Sequence, residues 1–283
     1  MYSQFIIQVR YLAVVIYFRM GMKISGRRWN MIYLTGDTHN DFSKLSNKSL
    51  KKHNLKLTED DYIIVAGDFG LCWAHDKTFD WNCKWFAERS FTTLWVQGNH
   101  ENYDMIAEYP LEEWHGGLVR HIVRDKVILL ERGQIFKIDG HTFFTFGGAA
   151  SHDIPGSALD RNDPKFEIKL KERRRDRIPY RIIGESWWPQ EIPTEQEMQT
   201  GIDNLAKADF TVDYVITHCC ATDLQTAIVH YLNKPSKADV LTDYFQALEG
   251  KLHYKHWYFG HYHYYLQTDE KHTVLYNDII KLE

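Results

Sequence analysis

The sequence predicts an α/β fold built on parallel strands, and three observations carry that prediction. Short apolar runs alternate with helix-like stretches through the first hundred residues, several of the runs stop at a glycine, and polar groups that suit cations follow at once. Strand–helix–strand order implies parallel strands joined by right-handed crossovers. Each strand then delivers its polar cluster to one edge of the sheet, where α/β folds gather ligands.

The first run, Met31 to Leu34, leads into Gly36-Asp37-Thr38-His39. The two-residue spacing lets a carboxylate and an imidazole leave one turn together and meet a single cation. Phe42 to Lys52 has helix-like spacing with basic residues outward. Tyr62 to Ala66 is β-branched and ends at Gly67-Asp68. Thr78 to Arg89 reads as an amphipathic helix with Thr78 as its cap. Thr92 to Gln97 is the third strand, ending at Gly98-Asn99-His100-Glu101.

The middle changes character. Val127–Leu130, Gln134–Ile138 and Thr142–Phe146 are short strands divided by glycine-containing turns, read as an antiparallel meander in a second sheet. A segment from Ser151 to about Pro193 is charged and poorly periodic. Its run from Lys169 to Arg177 reads as a solvated helix or loop, and Trp187-Trp188 as a plug holding the segment to the body. Thr194 to Ala208 is a helix opened by a Thr194/Glu197 capping box. Asp213–Thr217 ends at His218, Val240–Leu248 is helical, and Trp257–Phe259 ends at Gly260-His261-Tyr262-His263. Thr273–Tyr276 is an edge strand.

The 283 residues suffice for a full core, with 44% hydrophobic and 25% charged residues as in ordinary globular chains. A net charge of −4 argues against generic binding to nucleic acid or anionic membrane. Cys72, Cys83, Cys219 and Cys220 form no C-x-x-C pair, which favours a reduced, cytoplasmic setting. Residues 1–30 read as an N-terminal extension. Their apolar stretch is shorter than the roughly 20 residues of a membrane span and lacks a signal-peptide cleavage site. Residues 31–283 then form a single domain with a charged insertion at about 151–193.

Collected strand ends offer Asp37, His39, Asp68, Asn99, His100, His218, His261 and His263. Oxygen and imidazole donors without thiolates suit Mn, Fe or Zn rather than a structural zinc finger. Eight such groups exceed the needs of one cation, so a dinuclear site is the economical reading. His115, His121, His141, His152 and His272 read as surface or packing histidines.

These pieces occur in the order and spacing of the calcineurin-like metallophosphoesterases, and the chain most resembles the small bacterial and phage phosphoesterases of that superfamily. The resemblance implies a four-layer α/β/β/α sandwich with two mixed sheets. It implies two divalent metal ions, with Mn the expected ion in vitro. One would be held by Asp37, His39 and His263, the other by Asn99, His218 and His261, with Asp68 between them. It implies hydrolysis of a phosphate monoester or diester by a metal-activated hydroxide, with His100 stabilising charge or protonating the leaving oxygen. One departure stands out. Protein phosphatases of this superfamily carry an Asp and an Arg after the bridging Asp, where this chain has Leu71 and Cys72. Glu101, Asp104 and His75 are the candidates to replace the missing partner of His100. The alternatives are a regulatory or scaffold protein that keeps the fold with little turnover, and a nuclease guided by Lys169–Arg177. The acidic overall charge disfavours the nuclease.

Overall fold

Runs of only four apolar residues leave no polar face, so strands made from them must be buried on both sides. Two sheets packed face to face, with helices outside each, meet that demand. The computed structural model describes residues 30–152, 158–234 and 237–282. The expected extension, Asn30 apart, lies outside the described residues, and Met31–Glu283 makes one compact unit.

The first sheet is centred on β1 (Ile32–Thr35), β2 (Tyr62–Val65), β3 (Thr92–Trp95) and β6 (Val127–Leu130), parallel in that order. A hairpin of β4 (Glu112–Trp114) and β5 (Gly117–Val123) extends it beyond β6, and β13 (Ile280–Lys281) runs antiparallel beside β1. The second sheet contains β7 (Gln134–Ile138), β8 (His141–Phe146), β9 (Tyr214–Thr217), β10 (His256–Phe259), β11 (Leu266–Gln267) and β12 (His272–Val274). Its order is β11-β12-β10-β9-β8-β7, and β8, β9, β10 and β12 are parallel.

Alternation along each strand assigns the layers. Ile32, Leu34, Ile64, Leu94 and Ile128 face Phe136, Phe143, Ile216 and Tyr258 across the space between the sheets. The residues between them, Tyr33, Ile63, Val65, Trp95 and Leu129, pack outward against Leu50 of α1 (Asn47–Lys52), Phe86 of α2 (Lys77–Ala87) and Ile106 of α3 (Tyr103–Ala107). On the far side Phe144, Val215 and Trp257 meet Leu205 of α5 (Glu195–Lys207), Ile228 of α6 (Thr222–Tyr231) and Phe245 of α7 (Val240–Glu249). The result is the α/β/β/α sandwich. Between β8 and β9 in the chain, α4 (Phe166–Arg175) packs Phe166 and Leu170 with Leu159, Tyr180 and Ile182 in a small core of its own.

Three local expectations change. The strand expected at the edge of the sheet, β12, is flanked by β10 and β11, so β11 is the edge. The three middle strands are not one meander, because β6 joins the first sheet parallel to β3 while β7 and β8 belong to the second. Turn residues at Arg132-Gly133 look alike whether a chain reverses within a sheet or steps to the next. The cap of α2 is Asp76, whose side chain accepts from Phe79 N at 2.9 Å, rather than Thr78. The Thr194/Glu197 capping box is present as expected. Replacing Asp76 by Ala should cost about 1 kcal/mol of stability in urea denaturation, whereas Thr78→Ala should change it by less than about 0.5 kcal/mol; equal effects would return the cap to Thr78.

Candidate metal centre

The strand ends that meet at the common edge carry unusual backbone. Asp37, His39, Asp68, His261 and His263 all have positive φ, at 32°, 45°, 47°, 71° and 52°. Such a conformation costs a non-glycine residue on the order of 1–3 kcal/mol and persists where surrounding structure enforces it, often at functional sites. The flanking glycines have a steric cause. A Cβ on Gly67 would lie 2.1 Å from His218 Nδ1, and one on Gly98 would lie 2.0 Å from Asp68 Oδ1. The Gly-Asp and Gly-Asn-His pairs are therefore a consequence of close packing between neighbouring strand ends.

Asp37, His39, Asp68 and His263 each bring a ligand atom to within 4.8 Å of the others. His39 Nε2 and His263 Nε2 are 2.9 Å apart, His263 Nε2 is 3.5 Å from Asp37 Oδ1, and His39 Nε2 is 3.7 Å from Asp68 Oδ2. Two ring nitrogens that close require a proton or a cation between them. A second group lies on the other side of Asp68. His218 Nε2 is 3.3 Å from Asp68 Oδ1 and 3.3 Å from Asn99 Oδ1, and the His261 ring is 5.0 Å from that of His218. His218 Nδ1 lies 2.8 Å from Ala66 O, which can only accept, so Nδ1 carries a proton and Nε2 is the atom facing the two oxygens. Nitrogen and oxygen donors converging in this way fit a divalent cation of the Mn, Fe or Zn kind.

Backbone donors hold the two carboxylates. His261 N donates to both oxygens of Asp37 at 3.1 Å, and His100 N donates to Asp68 Oδ1 at 2.8 Å. Burial alone would raise the Asp68 pKa, but the imidazoles of His218, His100 and His39 hold it below the usual carboxylate range. Burial likewise opposes charge on His218, yet Asp68 outweighs it and pushes the imidazole up to about 9. Burial and the neighbouring His218 drive His261 well below the ordinary histidine value, leaving it neutral with a lone pair to offer.

His100 stands at the rim, its ring 5.0 Å from His39. The three residues considered as its partner are engaged elsewhere. Glu101 turns into the interior and accepts from Phe69 N and Gly70 N, His75 is 2.8 Å from Glu108, and Asp104 accepts from Trp188 Nε1. Against His100 lies Arg181, with Nη2 3.2 Å from Nδ1 and 3.5 Å from Nε2. Leu71 and Cys72 are buried in the core beneath the site.

A cleft of about 290 Å³ opens over Asp68, Asn99, His100, His261 and His263, and His152 and Lys234 line it too. His152, expected at the surface or in packing, places its ring 5.2 Å from His261. It arrives because β8 is parallel to β9, so the Gly147–His152 loop is one more strand end at this edge. Read as part of an antiparallel meander, that loop gave no signal. Ser151 in the same loop orients Asn99, since Asn99 Nδ2 donates to Ser151 Oγ at 3.2 Å and Ser151 Oγ donates to Glu191 at 2.7 Å. His115, His121, His141 and His272 make packing or surface contacts outside the cluster. A larger groove, about 760 Å³, lies at the opposite ends of β9 and β10 beside Tyr214 and His256 and holds none of the expected ligands.

The model of the calcineurin-like phosphoesterase family matches residues 31–265, a span that contains every expected ligand from Asp37 to His263. No curated protein matches the sequence. Among solved structures, the phosphopantetheinyl hydrolase of Mycobacterium tuberculosis aligns with 87% of this chain and 88% of its own at 15% identity. Its TM-score of 0.38 adds nothing to the assignment. The family match alone, covering most of the chain, places this protein among the calcineurin-like phosphoesterases.

Proposed function

We propose that this phosphoesterase hydrolyses phosphate monoesters or diesters with two divalent metal ions, Mn²⁺ serving in vitro. The observation that carries the reading is the placement of Asp68. Its Oδ2 faces His39 and its Oδ1 faces His218, so one carboxylate stands between two ligand groups. Asp37, His39 and His263 would hold one cation and Asn99, His218 and His261 the other, with Asp68 shared. Bound there, the pair would supply Lewis-acid polarisation of a phosphoryl oxygen and an acidified water.

The chain's own residues do the rest. The N–H groups of His261 and His100 keep Asp37 and Asp68 in position, and Ala66 O fixes the tautomer of His218. Ser151 turns the Asn99 oxygen inward. His100 lies outside both ligand groups and offers a ring N–H to a phosphoryl oxygen or a proton to the leaving oxygen. Leu71 and Cys72, both buried, stand where the protein phosphatases carry Asp and Arg, so the site lacks those two groups, which favours a substrate other than a phosphoprotein. The cationic guide for a nuclease is weakened by local pairing, since Lys169 bonds Asp163 and Arg175 bonds Asp176. We also propose a cytoplasmic setting, supported by four free cysteines. Among the described residues no helix is long and apolar enough to cross a membrane.

Metal-stripped protein should not hydrolyse p-nitrophenyl phosphate or bis-p-nitrophenyl phosphate until Mn²⁺ is added. Asp68→Asn should abolish that turnover and lower the number of Mn²⁺ ions bound; undiminished metal binding would remove Asp68 from the ligand set. His100→Ala should bind Mn²⁺ normally and lower kcat about 10²- to 10⁴-fold; an unchanged kcat would place the proton donor elsewhere.

A further inference from the structure

We infer that the charged segment between the two halves of the chain supplies a substrate-binding residue, Arg181, which contacts phosphoryl oxygens beside His100. The inference rests on the proposed phosphoesterase site and adds a residue to it. The alternation of an extended chain explains why this arginine points to the site. Tyr180 and Ile182 pack into the small core of Leu159, Phe166 and Leu170, and residues two apart share a face, so Arg181 between them is turned the other way, toward His100. Its guanidinium lies almost equally far from both ring nitrogens, 3.2 and 3.5 Å, which sets it alongside the imidazole rather than end-on.

The arginine is braced rather than loose. Leu159 N donates to its carbonyl at 2.8 Å, and Nη1 donates to Ser186 O at 3.0 Å. The turn from Ile182 to Trp187 is closed by Ser186 Oγ, which accepts from Ile182 N at 2.9 Å. Trp188 then anchors the segment: it is 3% exposed, its Nε1 donates to Asp104 at 2.8 Å, and its ring meets Trp73 edge-on at 5.6 Å. A guanidinium pre-placed in this way is suited to the forked recognition of phosphate oxygens, which a lysine ammonium does not reproduce. Lys234 is the competing cation in the cleft, but it is exposed on a flexible stem.

Titration of inorganic phosphate into full-length, Mn²⁺-supplemented protein by calorimetry tests the inference. Arg181→Ala is expected to weaken phosphate about 10- to 100-fold. Arg181→Lys should recover only part of the loss, and Arg175→Ala, an exposed arginine of the same segment, should leave affinity unchanged. Wild-type affinity in Arg181→Ala, no phosphate binding by the wild type at millimolar concentration, or a loss confined to Lys234→Ala would each overturn it. Circular dichroism and the Arg181→Lys variant guard against misfolding. Mn²⁺ stoichiometry, measured separately, reports on the metal reading; should Mn²⁺ not bind, the same phosphate titration still decides the role of Arg181.

Discussion

The carboxylate of Asp68 is buried where the ends of β1, β2, β3 and β9 meet, and a charge in such a place has to be compensated. Compensation comes from every side: the N–H of His100, the ring of His218, and the ring of His39. Each compensator sits on a different strand end. The two sheets must therefore bring their carboxyl ends to one edge, and the backbone there must turn sharply. Glycine at 67 and 98 and left-handed conformations at five of the ligand-type residues follow from that crowding.

Strain of this kind needs a rigid support. The support is the inter-sheet layer, where residues such as Leu34, Ile64, Leu94 and Ile216 are wholly buried. Fully burying a side chain of this size contributes about 1.5–3 kcal/mol, so a few of them offset the cost of several strained turns. Stability is thus concentrated in the strands, and the chemistry is confined to their ends. This division also accounts for Leu71 and Cys72, which follow Asp68 closely in the chain yet take no part in the cluster. They face the helical layer beneath it.

The charged segment after β8 is tied to the site at both ends. Glu191 accepts from Ser151 N and Oγ, and Ser151 in turn orients Asn99, while Trp188 seats against Trp73 and Asp104. Arg132 adds a further clasp, donating to the carbonyls of Gln190 and Glu191. A stretch that reads as charged and poorly periodic consequently reaches the site, with His152 lining the cleft and Arg181 against His100, in keeping with loops that carry specificity on a fixed scaffold.

The sequence by itself determined the strand ends and the eight polar groups on them, because those features are local. A four-residue apolar run stopping at glycine, followed by Asp-x-His or Asn-His, is legible wherever it occurs. The alternation of strands and helices was equally legible and led to the α/β class. Tertiary structure alone decided which sheet β6 joins, that β8 runs parallel to β9 and brings His152 to the edge, that Asp76 rather than Thr78 caps α2, and that Arg181 lies against His100. Strand direction and sheet membership depend on contacts between residues far apart in the chain, and short turn sequences are compatible with more than one outcome. The contact between Arg181 and His100 spans 81 residues; it exists because the segment folds back onto the body, and no local pattern announces that return.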